Sequence, residues 1–250
     1  MAKLERIVDL HSHILPGVDD GATDLVMAIA MARRAVHEGI ATMVATPHTL
    51  EGVYDVDRGV AREALGVLKN ALAAERIPLE VRLAAEVHLH ESIPARLRAD
   101  PTLSLDGSGK YLLLELPHQA VPPDLTKFLF ALRASGTTPL IAHPERNLAV
   151  RQNPDLTRAW VEAGARLQLT AASLDGTFGP VIRASADTLL GSGRVHVIAS
   201  DTHHPERRPP NMQQAIAVAE AVVGAAGVRT LFVDNPQRVL AGQPLHRVEP

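Results

Sequence analysis

Short apolar runs alternate with longer stretches of helical spacing along the whole of this 250-residue chain. The short runs have the length and residue types of buried strands, whereas the stretches between them repeat apolar residues three and four positions apart. Such repeated alternation favours right-handed crossovers and a parallel sheet, either open or closed into a barrel. Seven strands are predicted in this way: Ile7–His11, Ala41–Thr46, Leu79–Glu86, Tyr111–Leu116, Thr138–Ala142, Arg166–Thr170 and Val195–Ser200.

The segments between the predicted strands carry ordinary helix start and stop signals. Thr23 is a suitable N-cap for the first helix, and Gly39 is a suitable residue to end it. The last part of the chain predicts a helix over residues 211–223 and a short final helix that begins at Asn235. No low-complexity linker divides these elements, and a domain typically holds about 100–200 residues. We therefore expect residues 1–250 to form a single α/β domain.

Composition and charge exclude several classes of partner. The 25 basic and 28 acidic residues give a net charge of -3, so no global positive field attracts phosphate backbones. Four Phe, two Tyr and one Trp leave few platforms on which bases could stack. The chain has no uninterrupted apolar run of about 18 residues, and its first residues lack the apolar core of a secretory signal. We expect a cytoplasmic protein that binds no nucleic acid and does not insert into a membrane.

Cysteine is absent from the sequence. Its absence excludes disulfide bonds, thiolate metal sites and every mechanism with a cysteine nucleophile. Any metal site must therefore use His, Asp or Glu. The 12 histidines make such a site feasible if the fold brings enough of them together.

Residue types that bind metals stand at the carboxyl ends of most of the predicted strands. In a parallel α/β barrel the loops at that end converge on one site, so residues that are distant in sequence meet in space. His11 and His13 add a local argument, because alternate side chains of an extended segment point to the same side. The residues at or just after strand ends are His11, His13, His48, Glu86, Glu115, His143, Asp201 and His203.

A single histidine after a strand is more often a hydrogen-bonded loop residue than a ligand, and a single carboxylate is more often a solvated charge. The joint pattern is much harder to assign to a solvated surface. Mixed imidazole and carboxylate ligation without sulfur favours Mn, Fe or Zn over Ca and Mg. The other histidines lack this placement and are expected on the surface or in supporting roles: His37, His88, His90, His118, His196, His204 and His246.

Longer strings around these residues resemble one family of metal-dependent hydrolases. Together they cover nearly the whole chain, and they resemble the polymerase and histidinol phosphatase superfamily, in particular its bacterial tyrosine phosphatases of capsule and exopolysaccharide synthesis. The strings are Asp9-Leu-His-Ser-His-Ile-Leu-Pro-Gly-Val-Asp-Asp-Gly21, Ala45-Thr-Pro-His48, Ala85-Glu86, Leu114-Glu115, Ile141-Ala-His-Pro-Glu-Arg146, Ile198-Ala-Ser-Asp-Thr-His203, Arg208-Pro-Pro and Leu231-Phe-Val-Asp-Asn-Pro236.

The resemblance implies a distorted (β/α)7 barrel, with parallel strands surrounded by helices, that holds three divalent or trivalent metal ions. Mn is the expected metal, with Fe and Zn as alternatives. Within the doublet of Asp19 and Asp20 we choose Asp20 as the ligand. The implied ligand sets are His11, His13, Glu86 and Asp201 for one ion, Asp20, His48 and His203 for a second, and Glu86, Glu115 and His143 for a third.

The resemblance also implies an activity, a metal-dependent phosphomonoester hydrolase of the protein-tyrosine phosphatase type. Bound metal lowers the pKa of water to roughly 7 in favourable sites, so a hydroxide bridging two cations would attack phosphorus. Arg146 and Arg208 would hold the phosphoryl oxygens, because the guanidinium group is a planar fork suited to phosphate. The implied partner is a phosphotyrosine protein, namely a bacterial tyrosine autokinase of polysaccharide synthesis.

Three alternatives remain open at this point. One is a small-molecule phosphatase of the histidinol-phosphatase type, which shares the superfamily. Another is an amidohydrolase-type barrel, although that family generally needs a metal-bridging Lys where this chain has Glu86 and Glu115. The third is a non-catalytic, metal-bound regulatory module, against which the complete set of ligands argues.

Overall fold

The computed structural model describes residue 4, residues 6–50 and residues 54–249 of the chain. The strands are β1 (Ile7–Ser12), β2 (Ile40–Ala45), β3 (His48–Leu50), β4 (Tyr54–Asp55), β5 (Glu80–Leu83), β6 (Glu86–His88), β7 (Tyr111–Glu115), β8 (Thr138–Ala142), β9 (Arg166–Thr170) and β10 (Val197–Ala199). The α-helices are α1 (Leu25–His37), α2 (Arg58–Ala74), α3 (Ile93–Ala99), α4 (Leu125–Ala134), α5 (Leu148–Gln152), α6 (Leu156–Glu162), α7 (Ala171–Leu174), α8 (Pro180–Gly191), α9 (Met212–Arg229) and α10 (Asn235–Leu240).

The strands form two sheets that follow one another around a distorted barrel. One sheet has the order β1-β2-β5, and the other has the order β10-β9-β8-β7-β6-β3-β4. Among the described residues, the pairings between these strands are parallel except that of β3 with β4. The first and last strands are joined by backbone hydrogen bonds from Asp201 N to His11 O and from His13 N to Thr202 O, both 2.9 Å long. The predicted α/β class, with parallel strands surrounded by helices, is confirmed.

The barrel is distorted where two strand segments break and pass from one sheet to the other. After β2 the chain continues through Thr46 and Pro47 into β3, and after β5 it continues through Ala84 and Ala85 into β6. The prediction of one unbroken strand over Leu79–Glu86 is therefore wrong, and β3 and β4 were not predicted. Both differences arise from long-range pairing, because β3 and β6 are defined by their register with each other, in which His48 lies opposite Glu86.

The helix boundaries agree with the predicted signals in most places. Gly39 follows α1 with a φ of +90°, a conformation that glycine adopts without steric cost. The predicted N-cap Thr23 is wrong, because the cap is Asp24, whose carboxylate accepts a 2.9 Å hydrogen bond from Met27 N. The Thr23 side chain is shorter than that of Asp24 and lies one residue earlier, so a cap at Thr23 would leave Met27 N without its acceptor.

Two groups of buried apolar residues lie on opposite faces of the strands. The larger group joins alternate strand residues, such as Leu112 and Ile141, to the helices packed around the outside. The smaller group takes the intervening residues, including Leu113 and Leu140, and fills the interior. This alternation is the period-two pattern of strands buried on both faces.

Among the described residues one helical stretch, Met212–Leu240, is long and apolar enough by length and composition to cross a membrane. Core helices of proteins without a membrane segment share this length and composition, so these two features alone do not indicate a membrane span. The backbone breaks at Gly224, which has a φ of +66° and a ψ of 175°. Met212, Ala219 and Phe232 along this stretch belong to the larger buried group.

Candidate metal centre

The nine side chains predicted as metal ligands lie together at the carboxyl end of the barrel. They form four overlapping groups, and within each group one ligand atom per residue lies within 4.8 Å of the others. The groups are His11, His13 and Asp201; His13, Asp20, His48 and His203; His11, Glu86 and His143; and His48, Glu86 and Glu115.

The most buried part of the centre contains the first predicted ligand set. His11 Nε2 lies 3.2 Å from His13 Nε2, 3.2 Å from Glu86 Oε2 and 3.4 Å from Asp201 Oδ1. His13 Nε2 lies 3.5 Å from each of the same two carboxylate oxygens. Four ligand atoms from three distant strands thus face one another.

The second set lies nearer the rim. Asp20 Oδ1 is 3.4 Å from the Nε2 atoms of both His48 and His203. The side chain of Asp19, in contrast, is buried, and its carboxylate accepts from His13 Nδ1 at 2.7 Å and from the backbone N–H of His48 at 3.2 Å. Asp20 thus lies beside two imidazoles and Asp19 lies behind His13, and the choice of Asp20 as the ligand stays a prediction.

Gly21 permits the tight turn that presents this carboxylate pair. A Cβ atom at Gly21 would lie 1.9 Å from the carbonyl oxygen of His13, which no side chain could tolerate. The same carbonyl accepts a 3.0 Å hydrogen bond from Ala22 N. The glycine therefore allows the loop to fold back onto the first strand.

The third predicted set does not form a single group in this structure. The two oxygens of Glu86 point apart, with Oε1 3.0 Å from His143 Nε2 and Oε2 3.0 Å from His48 Nδ1. Glu115 lies on the His48 side, where its Oε2 is 3.7 Å from His48 Nδ1 and 3.3 Å from His88 Nδ1. Glu86 is thus the central carboxylate that contacts both sides of the centre.

Hydrogen bonds to the outer ring nitrogens orient three of the histidines. His11 Nδ1 donates to Gln168 Oε1 at 2.9 Å, and His203 Nδ1 donates to the Asp201 carbonyl at 2.9 Å. His13 Nδ1 makes the bond to Asp19 described above. Because the acceptors can only accept, each Nδ1 carries the hydrogen, and a neutral ring then directs its Nε2 lone pair inward.

The inward lone pairs of neutral imidazoles would face carboxylate oxygens at 3.2–3.5 Å, which is a repulsive arrangement unless a proton or a cation lies between them. Glu86 Oε2 is buried and makes no hydrogen bond, although ring nitrogens surround it. Buried anionic oxygens need a compensating partner. The residues present therefore fit a centre of metal cations with mixed nitrogen and oxygen ligands.

Without metal, protons would supply this compensation. Burial disfavours the charged imidazole of His48, but the nearby carboxylates of Asp20 and Glu86 outweigh it and raise the pKa of His48 to about 10. Burial likewise opposes ionisation of Glu86 and Asp201, yet the nearby His11 imidazole holds the pKa of both carboxyl groups well below the usual range. Protons and metal ions consequently compete for the same ligand atoms.

Backbone distortion helps to aim the ligands. His143 and Asp201 have φ values of +34° and +51°, in the left-handed region that non-glycine residues rarely adopt. The pairing of β1 with β2 shifts register between Asp9 and Ser12. Leu10 packs in the interior group, and the next residue, His11, also points inward, because its Nδ1 contacts Gln168 in the interior. The irregularity in the strand therefore turns His11 inward.

A family model described as capsular polysaccharide synthesis, CpsB/CapC, matches residues 7–241. The chain belongs to the CpsB/CapC family. The predicted membership is therefore confirmed.

Several relatives in the CpsB/CapC family are curated proteins. The chain is 38% identical over 244 residues to the tyrosine-protein phosphatase YwqE of Bacillus subtilis, covering 98% of this chain and 95% of YwqE. It is 35% identical to the putative tyrosine-protein phosphatase CapC of Staphylococcus aureus, covering 83% of this chain and 81% of CapC. It is 28% identical to the tyrosine-protein phosphatase CpsB of Streptococcus pneumoniae, covering 95% of this chain and 99% of CpsB.

Solved structures agree with this family assignment. A chain from a study of YwqE from B. subtilis and CpsB from S. pneumoniae, described there as unique metal-dependent tyrosine phosphatases, superposes with a TM-score of 0.90 at 37% identity. The match covers 98% of this chain and 99% of that one. A β-aspartyl dipeptidase from Fervidobacterium islandicum reaches a TM-score of 0.54 at 15% identity, with 96% and 75% covered, and shares the fold alone.

The two arginines predicted to bind phosphate both contact Asp201, one of the predicted ligands, in this CpsB/CapC family member. Arg146 Nη1 and Arg208 Nη2 donate to Asp201 Oδ2 at 2.6 and 2.8 Å. Their side chains are 20% and 28% exposed, so both reach the rim of the centre. Arg208 Nε is buried without a hydrogen-bond partner.

Some residues of the site were not singled out from the sequence. Gln168 lies in β9 between Leu167 and Leu169, and this alternation could have indicated a polar side chain directed into the barrel. Phe178, which contacts both arginines, lies in a glycine-containing loop and had no periodic signal. His88 and His118 flank Glu115, in the supporting role expected for them. His196 is a correction, because it is buried at the opposite end of the barrel and supports no ligand.

Proposed function

We propose that this protein is a metal-dependent protein-tyrosine phosphatase. The observation that carries the proposal is the convergence of nine imidazole and carboxylate side chains, with two arginines on one of them, at the carboxyl end of the barrel. The tyrosine-phosphatase names of relatives that match nearly the whole chain support the substrate class.

Three cations would occupy the centre, with Mn expected and Fe or Zn as alternatives. When bound, such cations supply Lewis acidity and lower the pKa of water, which provides a nucleophile for phosphoryl transfer near neutral pH. Glu86 would be shared between cations, because its two oxygens face different histidines. The proposed ligands are His11, His13, Asp20, His48, Glu86, Glu115, His143, Asp201 and His203.

Arg146 and Arg208 would bind the phosphoryl oxygens of the substrate. Each uses one Nη atom on Asp201 Oδ2, and the guanidinium group has further N–H donors in the same plane. Asp201 thereby holds both cationic side chains beside the centre. A pair of arginines at this position would neutralise charge that develops on the phosphoryl group.

A phosphotyrosine ester makes modest demands on an acid catalyst, because its phenol leaving group has a pKa near ~10, lower than that of an alcohol. The proposed partner is the phosphorylated tyrosine segment of a bacterial autokinase that acts in polysaccharide synthesis. We further propose that residues 1–250 act as one domain in the cytoplasm.

The test is hydrolysis of a phosphotyrosine peptide and of histidinol phosphate by metal-replete protein, before and after treatment with a chelator. Metal content is measured in the same samples by elemental analysis. We expect a large preference for the peptide in kcat/KM and loss of activity on chelation. A preference for histidinol phosphate would favour the small-molecule alternative, and no turnover of any phosphomonoester by metal-loaded protein would favour a regulatory module.

A further inference from the structure

Phe178 lies against both arginines of the site. The guanidinium carbon of Arg146 lies over the Phe178 ring at 5.2 Å from its centroid, and that of Arg208 lies over the ring at 5.7 Å. Both distances are within the range of a cation–π interaction. The two guanidinium groups therefore both contact the Phe178 ring as well as the Asp201 carboxylate.

The loop that carries Phe178 is held on both sides. Phe178 N donates to the Ala172 carbonyl at 3.4 Å, and Thr177 N donates to Asp175 Oδ1 at 2.8 Å. Asp175 Oδ2 accepts a 3.0 Å hydrogen bond from Asn211 Nδ2, just before α9. These bonds connect the loop between α7 and α8 to α7 and to the residue that precedes α9.

Two guanidinium groups on one carboxylate oxygen repel each other, and one negative charge compensates only part of this repulsion. The negative face of an aromatic ring supplies additional compensation without accepting a hydrogen bond. It therefore leaves the N–H donors of both arginines available for a ligand. An aliphatic side chain of similar size would fill the same space without this electrostatic effect.

We propose that Phe178 is a positioning residue that holds Arg146 and Arg208 side by side for binding of the substrate phosphoryl group. This inference rests on the proposed function, in which the two arginines bind phosphate. Phe178 itself need not contact the reacting atoms.

The experiment compares Phe178→Leu with Phe178→Tyr in metal-replete protein. Inorganic phosphate is titrated calorimetrically, and kcat and KM are measured with a phosphotyrosine peptide. Loss of the ring should weaken phosphate binding and raise KM by about tenfold, with a smaller change in kcat, whereas tyrosine should restore wild-type values. Phe130→Leu is the matched control, because Phe130 is 65% exposed on α4.

Wild-type phosphate affinity in Phe178→Leu, alongside weakened affinity in Arg146→Ala, would overturn the inference and leave the proposed function intact. Equal loss in the Leu and Tyr variants would also overturn it, since tyrosine keeps the aromatic face. If Phe178→Leu does not fold, Phe178→Met provides the same comparison. If the wild-type protein hydrolyses no phosphomonoester, the proposed function fails, and the phosphate titration still decides the role of Phe178.

Discussion

The two ends of the barrel each contain a buried histidine, and the two histidines have opposite surroundings. His11 lies at the carboxyl end among Glu86, Asp201 and another imidazole. His196 lies at the amino end, just before β10, where its Nδ1 accepts a 3.3 Å hydrogen bond from Leu167 N. Burial and, to a smaller extent, the positive charge of the nearby Arg166 lower the pKa of His196 to about 3, so its ring is neutral at neutral pH.

Buried polar groups near His196 are paired. Asn235, which is fully buried, donates to the carbonyls of His196 and His246 at 2.9 and 3.0 Å and accepts from His246 N at 2.8 Å. At the carboxyl end, Glu86 Oε2 and Arg208 Nε are buried without hydrogen-bond partners. Burial of a histidine therefore does not indicate a ligand site, whereas buried lone pairs directed at carboxylates do.

The largest expected effect comes from Asp201→Asn at the carboxyl end. Asp201 Oδ1 faces His11 and His13 while Oδ2 accepts from both arginines, and an amide cannot replace both oxygens. We expect kcat on a phosphotyrosine peptide to fall by at least about 10³-fold, equivalent to about 4 kcal/mol of transition-state stabilisation. Circular dichroism should show an unchanged fold.

His196→Asn is the control for this variant, because the Asn carbonyl can accept the Leu167 N–H in place of Nδ1. Its activity should remain within about twofold of wild type, as expected for a site without a role in the chemistry. The proposed mechanism would be contradicted by near-normal turnover in Asp201→Asn.

Asn235→Ala should have the opposite profile at the amino end. The substitution removes three hydrogen bonds: a buried one to the carbonyl of His196 and two partly buried ones with the backbone of His246. We expect the free energy of unfolding to fall by about 2–4 kcal/mol, measured by urea denaturation. Metal content and kcat at a temperature where the variant is folded should be unchanged, and a parallel loss of metal would mean that the two ends are coupled.

Much of the fold and of the site could be predicted, because both depend on local signals. The strand periodicity placed β1, β7, β8, β9 and β10, and parallel topology then brought residues such as His143 and Asp201 to one end. The breaks after β2 and β5 depend on which strands pair with each other, and the periodicity of a sequence does not predict strand pairing. The same is true of the left-handed backbone at His143 and Asp201, because no glycine marks it.

The amino end shows the other limit of the sequence. His196 follows Val195 in a predicted strand, and nothing in this dipeptide distinguishes a solvated side chain from a buried one that accepts a backbone hydrogen bond. The surroundings of His196 include Asn235 at the start of α10, 39 residues later in the sequence, whose side chain donates to the His196 carbonyl. Contacts at such separation are outside the range of a local pattern.

Gln168→Leu tests whether a residue that orients a predicted ligand contributes to metal affinity at the carboxyl end. Gln168 Oε1 holds the Nδ1 hydrogen of His11, and leucine has a similar volume without an acceptor. Loss of such a bond typically weakens metal binding by about 10–100-fold, and we expect a change in this range by competition with a chelator. Gln213→Leu is the matched control, since Gln213 bonds to Leu4 and Glu38 at the amino end. Equal metal affinities in both variants would contradict the role given to Gln168.

The smallest expected effect is the release of about one proton from His48 on metal binding. In metal-free protein the carboxylates of Asp20 and Glu86 outweigh burial and raise the pKa of His48 to about 10, so the ring is charged at pH 7, whereas a ligand must be neutral. Calorimetric titration of metal in buffers of different ionisation enthalpy should show about one fewer proton released by His48→Gln than by wild type.

This difference should shrink as the pH rises through about 10, because His48 is then neutral before metal binds. His196→Asn should release the wild-type number at every pH, because the pKa of His196 is about 3. Equal proton release from wild type and His48→Gln at pH 7 would show that metal binding does not displace a proton from His48. The contrast between the metal-binding histidines of the carboxyl end and His196 would then depend on the other imidazoles.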